Sequence, residues 1–229
     1  MASTRSPVEG AWRNACVLMV LFAAGAAPLV GHHWLGLPAA NAPTETAPAH
    51  LAHGPVDIGF AQDMSVHHEQ ALTMARMALA QGSPQVRLLA QGIINQQLKE
   101  IGYLQGWLML WNAPSVADSG EMTWMRTAYA QARQRVPAYD QFIESCAQGQ
   151  GMPGLATPVE LEALEALSLP DQFDRTFLAL MIRHHQGAIV MAQFTSEHAA
   201  SDMVRGFAKA IAAEQLQEMS QMLTLLRAG

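Results

Sequence analysis

Half of the 229 residues are apolar and the formal charge is −6, so the chain can bury one sizeable core but not two large ones. Its 13 Lys and Arg are scattered and form no stripe, which argues against a nucleic-acid surface. Fourteen Met stand against two Cys. Cys16 lies in the leading apolar segment and Cys146 stands alone beyond it, so the folded part has neither an internal disulfide nor a Cys-x2-Cys metal site.

Arg5 and Arg13 precede an apolar stretch over 15–30 that is closed by Gly31, His32 and His33. A basic segment followed by an apolar one directs the rest of the chain across a membrane, into the periplasm or another extracytoplasmic space. Ala24-Gly25-Ala26 could be a cleavage site, yet the apolar run to Leu37 is nearly long enough to span a bilayer. Residues 1–37 are thus expected to be a signal peptide or, if uncleaved, an inner-membrane anchor over 14–37. Residues 38–55, rich in Pro, Ala and Thr, read as a flexible linker. His50 and His53 sit in this tether, where mobile imidazoles must first be ordered to chelate, so no ligand role is expected of them.

The first helix should cover 56–80. Gly82-Ser83-Pro84 ends it, with Ser83 capping a second helix that runs to Leu110. Residues 121–146 read as helical but interrupted near Val136-Pro137, because proline removes a donor and clashes with the preceding turn. After a Gly/Pro loop over 148–157, Thr157-Pro158-Val159-Glu160 is a capping box opening a short helix to Leu167. Asp171 is expected to cap a long helix to His198, and Ser201 to start the last, ending near Leu226.

The chain states one pattern twice. Asp57-x2-Phe60-x3-Met64-x2-His67-His68-x2-Ala71-x2-Met74 returns, offset by 117, as Asp174-x2-Phe177-x3-Met181-x2-His184-His185-x2-Ala188-x2-Met191. The second arms match as Ala90-x2-Ile93-x3-Gln97-x2-Glu100 and Ala208-x2-Ile211-x3-Gln215-x2-Glu218, offset by 118. Repeat halves at 57–108 and 174–226, joined by a helical crossover over 112–170, make an all-α antiparallel four-helix bundle over 56–227.

At helical spacing Phe60, Met64, His67, Ala71 and Met74 share one face, as do Phe177, Met181, His184, Ala188 and Met191. His68 and His185 point toward a helix seam. Gln97 and Gln215 fall on the inward stripe, where a buried amide needs a partner; the imidazoles are expected to supply it, which would fix the ring tautomers. A single inward His with a Gln partner is an ordinary satisfied core group, and Met is an ordinary core filler. Repetition in both halves favours a metal role for His67, His184, Met64 and Met181, and then for Met74 and Met191. Met122, Met125 and Met152 add thioethers outside the repeats, as an entry site or as core cover. Asp57 and Asp174, at helix starts, need only capping and dipole interactions to explain them.

With Met64-x2-His67-His68, Met181-x2-His184-His185, Met122-x2-Met125, Gly151-Met152-Pro153-Gly154 and both Gln-x2-Glu segments in place, the chain resembles the bacterial domain-of-unknown-function family numbered 305 over residues 54–227. That resemblance implies a ferritin-like bundle and, as in some members, extracytoplasmic copper binding. Carried over residue by residue, it supports Met64, His67, His68, Met74, Met181, His184, His185 and Met191 as candidate ligands. The chain departs from the family at Leu155, which follows Gly154, and at Leu104, the counterpart of Met222; both places often hold Met.

An iron oxidase would need inward carboxylates and Glu-x2-His, but Met holds the position three residues before each inward His. Thioether and imidazole suit Cu(I), and silver in vitro. No nucleophile–base pair marks an enzyme. The reading is a Cu(I)-binding protein for storage, delivery or detoxification, exchanging metal with a membrane copper transporter or another copper protein, without nucleic acid, and touching the membrane through its leader if that is retained. A metal-free helical interaction module and a redox-active copper protein are the alternatives.

Overall fold

A computed structural model describes residues 52–118, 122–147 and 151–228. The expected leader, most of the linker, and His32, His33 and His50 lie outside them. Among the described residues there are seven helices: α1 (Pro55–Gln81), α2 (Pro84–Leu110), α3 (Thr123–Ala130), α4 (Pro137–Ala147), α5 (Pro158–Glu165), α6 (Pro170–His198) and α7 (Asp202–Ala228). No helix among the described residues is long and apolar enough to cross a membrane.

Local chemistry sets most boundaries. Proline occupies the first helical position of α1, α2, α4, α5 and α6, where its missing donor removes nothing. Ser83 accepts from the Val86 amide at 3.4 Å, and Thr157 and Glu160 close a reciprocal capping box. Gly82 ends α1, its amide bonding back to the Ala78 carbonyl. Asp171 proves not to be the cap of α6: Leu169 holds that position without a side-chain bond, and Asp171 sits in the first turn. The expected kink near Pro137 is a full break. Helix α3 stops at Ala130, and the link to α4 is tied where the Tyr129 hydroxyl accepts from the Val136 amide at 2.7 Å and meets its carbonyl at 3.1 Å.

The hairpins α1–α2 and α6–α7 pack together chiefly through α1 and α6. An approximate two-fold axis relates them, as the two repeated aspartates show. Asp57 accepts from the Ala200 and Ser201 amides at 2.9 and 3.0 Å, in the turn of the other hairpin, and from Gly54 at 2.9 Å. Asp174 accepts from the Ser83 amide at 3.1 Å, in the turn of the first. Each therefore does more than cap: it locks its own hairpin onto the opposite one.

The crossover breaks this symmetry. Helix α3 lies on α1, while α4 and α5 lie on α6. On α1, buried Asp63 accepts from the Met122 amide at 2.7 Å and the Trp124 indole at 2.8 Å. The indole also occupies the space that a side chain at Gly59 would need, 2.1 Å from its Cβ position. Met122 is held left-handed at φ 59°, which costs a non-glycine residue roughly 1–2 kcal/mol and is maintained by the Asp63 bond.

Removing the more heavily used clamp should matter more. Asp57→Ala leaves three amides without their acceptor and is expected to lower stability by about 2 kcal/mol, while Asp174→Ala should lower it by about 1 kcal/mol; urea unfolding of both variants measures the difference.

Candidate metal centre

The axis between the two halves passes through a contact between imidazoles. The rings of His67 on α1 and His184 on α6 lie 3.8 Å apart, tilted by 40°. His184 Nε2 donates to the His67 carbonyl at 2.8 Å. Small Ala71 and Ala188, both buried one turn on, leave room for this approach. His68 and His185 flank the pair, and all four residues are 0% exposed.

Carboxylates, not amides, hold the outer rings. His68 Nε2 donates to Glu100 and His185 Nε2 to Glu218, each at 2.7 Å. The expected pairing of Gln97 and Gln215 with the imidazoles is therefore corrected. Both glutamines are buried, yet neither their amide nitrogens nor their oxygens have a hydrogen-bond partner. The glutamates lie three residues further along α2 and α7, where they meet the rings that turn toward the helix seams. An ionised acceptor also makes the stronger bond. Their recurrence in both repeats was the signal that could have assigned them this role.

The two carboxylates differ in surroundings. Gln96 donates to Glu100 at 2.9 Å and also to Glu214 across the α2–α7 seam. Burial alone would raise the Glu100 pKa, but the bond and charge of His68 outweigh it and hold it below the ordinary value. Burial, reinforced by Glu100, raises Glu214 to about 7. Gln96 stands at the position equivalent to Glu214, so this carboxylate pair has no copy in the other half.

Burial and neighbouring imidazoles hold His67 and His184 well below their usual pKa of 6.5, with the His67 carbonyl working the other way on His184. The Pro153 carbonyl acts likewise on His67, without reaching hydrogen-bond geometry. Both nitrogens of His67 and Nδ1 of His68, His184 and His185 have no partner. With the four amide atoms of Gln97 and Gln215, they make nine of the ten such buried side-chain atoms among the described residues. Buried polar groups are ordinarily paired, and each unpaired one costs about 1–3 kcal/mol.

Thioethers flank this centre on both sides. Met64 and Met191 join one core cluster, with Met122, Met125 and Met152; Met74 and Met181 join the other, with Met222. Each cluster thus draws one repeated Met from each half, as the two-fold axis requires. Met122, Met125 and Met152 are at most 1% exposed, so they line the interior and form no shallow surface site. Leu104 is buried in their cluster; the Met absent there is matched by thioethers from the crossover. Among the described residues no three His, Cys, Asp or Glu are arranged to hold one ion. The remaining donors beside this centre are the thioethers of the two clusters.

These features define a class: a duplicated, two-fold bundle that closes a core of paired histidines and methionines. The chain belongs to the DUF305 family, described as a domain of unknown function, whose profile matches residues 57–226. It is similar to a DUF305 protein from Streptomyces coelicolor assigned as secreted, with 33% identity and TM-score 0.63 over 76% of this chain and 93% of that one. A DUF305 fragment from Deinococcus radiodurans matches at 26% identity and TM-score 0.58, over 77% and 99% of the two chains. CopM in its Cu(I)-bound form matches at 26% and TM-score 0.50, over 75% and 96%. No curated protein matches the chain at a significant level.

Two outcomes follow from the unpaired polar atoms. Gln97→Met and Gln215→Met should each raise the stability of the metal-free protein, by about 1 kcal/mol or more, because they remove unpaired amides from an apolar core; melting temperatures check this. Acid should destabilise the same protein. The folded pKa values of His67 and His184 lie below the unfolded value of 6.5, so their contribution is complete above that pH. As pH falls below it the unfolded chain takes up protons first, and up to about 1.4 kcal/mol per imidazole is lost for each pH unit until the folded pKa is reached. Calorimetry between about pH 7.5 and 5 should show this decline, shallower in His67→Leu.

Proposed function

We propose that this protein binds a soft metal ion, Cu(I) in the first place, outside the cytoplasm, and that its buried histidines and methionines are the ligands. The observation that carries the reading is that nine of the ten unpaired buried side-chain nitrogen and oxygen atoms among the described residues belong to the four histidines and to Gln97 and Gln215. An ordinary core eliminates such atoms, whereas a ligand set keeps its lone pairs unengaged. With their Nε2 atoms bonded to oxygen, His68, His184 and His185 keep a buried Nδ1 unengaged.

The same geometry argues for a particular kind of ion. Carboxylates act here on imidazoles and leave the inner positions to nitrogen and sulfur, a donor set that favours Cu(I) over hard cations. Four imidazoles with Met64, Met74, Met181 and Met191 are the proposed ligands, and Met122, Met125 and Met152 extend the set on one side. Cu(I)-bound CopM supports copper as the cargo, and CopM co-crystallised with silver, at 25% identity and TM-score 0.52, supports Ag(I) as a substitute. The secreted assignment of the Streptomyces relative supports an extracytoplasmic location. Full burial of the imidazoles favours sequestration, for storage or detoxification, over open handover from the surface.

Anaerobic Cu(I) titration against a chromogenic chelator tests the proposal. His67→Ala and His184→Ala should weaken binding by comparable factors, about tenfold or more. Unchanged weak binding in both variants would leave a metal-free helical interaction module.

A further inference from the structure

An ion can reach the fully buried imidazoles only through whatever covers them. On one side the cover is helical, with Gln97 and Glu100 from α2 and Gln215 and Glu218 from α7. On the other a short non-helical strap, residues 151–156, crosses from α6 to α1 over the seam between the two His-bearing helices.

The strap lies directly on backbone. A Cβ at Gly187 would stand 1.9 Å from the Pro153 carbonyl oxygen, and one at Gly154 would stand 2.8 Å from the Arg183 carbonyl and 3.0 Å from that of His184. Gly154 is also held at φ +92°, a conformation open to glycine. At the α1 end Gln70 grips Ala156 through both halves of its amide: Nε2 donates to the Ala156 carbonyl at 2.9 Å, and Oε1 accepts from the Ala156 amide at 2.6 Å. Beneath the strap, Met152 is 1% exposed and belongs to the cluster of Met64, Ala188 and Met191. Outside it, a hollow of about 370 Å³ is lined by Phe142, Ser145, Pro153, Gly154, Gln186 and Gly187.

Gln70 and Gly187 are equivalent positions of the duplication, 117 residues apart. The repeat departs from itself here because one strap meets two related helices. One helix needs a long side chain to hold it, and the other needs none to let it lie down.

We propose that the 151–156 strap is the port through which a soft metal ion reaches the paired imidazoles, that Met152 is the first sulfur met on the inner side, and that Gln70 and Gly187 set how often the port opens. The inference rests on the metal-binding reading of the core. Lifting the strap breaks the two-bond clamp of the partly exposed Gln70, the Arg183 bond to the Leu155 carbonyl at 3.4 Å and a backbone seat, and uncovers Met152 and Ala156. Parting α2 or α7 would instead open the packed apolar core, so the cheaper local opening runs through the strap.

The full chain, wild type and as Gln70→Ala, Gly187→Ala and Met152→Leu, is compared in two assays. One follows modification of His67 and His184 by diethyl pyrocarbonate in the metal-free protein, read by mass spectrometry. The other follows the rates of Cu(I) uptake from, and release to, a chromogenic chelator. Gln70→Ala and Gly187→Ala should speed modification, uptake and release about tenfold, the factor that corresponds to losing one or two hydrogen bonds, with the equilibrium partition of Cu(I) unchanged. Met152→Leu should slow uptake without speeding modification. If Gly187→Ala does not fold, Gln70→Ala, which alters only a partly exposed side chain, decides alone. Unchanged modification rates overturn the port, as does faster release without faster uptake. A wild-type protein that takes up no Cu(I), while the variants still speed modification, overturns the copper reading and leaves the strap as the route into the core.

Discussion

The contact between the His67 and His184 rings is the constraint around which the bundle is arranged. Two imidazoles 3.8 Å apart and fully buried cannot both carry charge, and burial, helped by the flanking His68 and His185, holds both well below the usual imidazole pKa. Small residues at 71 and 188, the His184 bond to the His67 carbonyl, and the carboxylates behind His68 and His185 all follow from the need to hold neutral rings close together. The surrounding Phe60, Phe173, Phe177 and Phe194, each 0% exposed, supply apolar burial worth about 1.5–3 kcal/mol per side chain. That burial offsets the polar atoms left without partners.

Duplication explains why the site is central, and departures from it explain how the site is covered. Asp57 and Asp174 clamp opposite hairpin turns, so each half is incomplete without the other and the imidazoles meet on the axis. A single crossover cannot be symmetric. Gly59 receives the Trp124 indole where the equivalent residue is Thr176, and Gly187 receives the strap where the equivalent residue is Gln70. The crossover also brings Met122, Met125 and Met152 to one side of the axis only, so the two thioether clusters are unequal. If ions occupy both, their affinities should differ for that reason.

The arrangement separates two kinds of second partner. Glu100 and Glu218 bond the outer rings and orient them, whereas Gln97 and Gln215 sit beside the centre with their amides unengaged. Amides that are unpaired in the metal-free core can turn toward water, toward an imidazole or toward a ligand. Under the metal-binding proposal, such amides would settle only as the ion binds, and a mixed set of nitrogen and sulfur donors suits a soft ion.

Periodicity and punctuation were enough to place the helices. Apolar spacing near 3.6 residues, Pro at first helical positions and the Gly82-Ser83 turn are local signals, and the offset of 117 showed that two faces were built alike. His67, His184 and the flanking methionines were legible for the same reason, since a helix face can be computed without knowing what it packs against. The partner of a buried ring was not legible: Gln97 and Glu100 both recur, and only the approach of α2 and α7 to the seam decides which one reaches. Nor could the sequence show that a Gly/Pro loop becomes a strap seated on Gly187, or that Met122 is held left-handed by Asp63. Those facts depend on contacts between residues far apart in the chain, where no spacing rule applies, and they are decided only when the crossover folds onto α1 and α6.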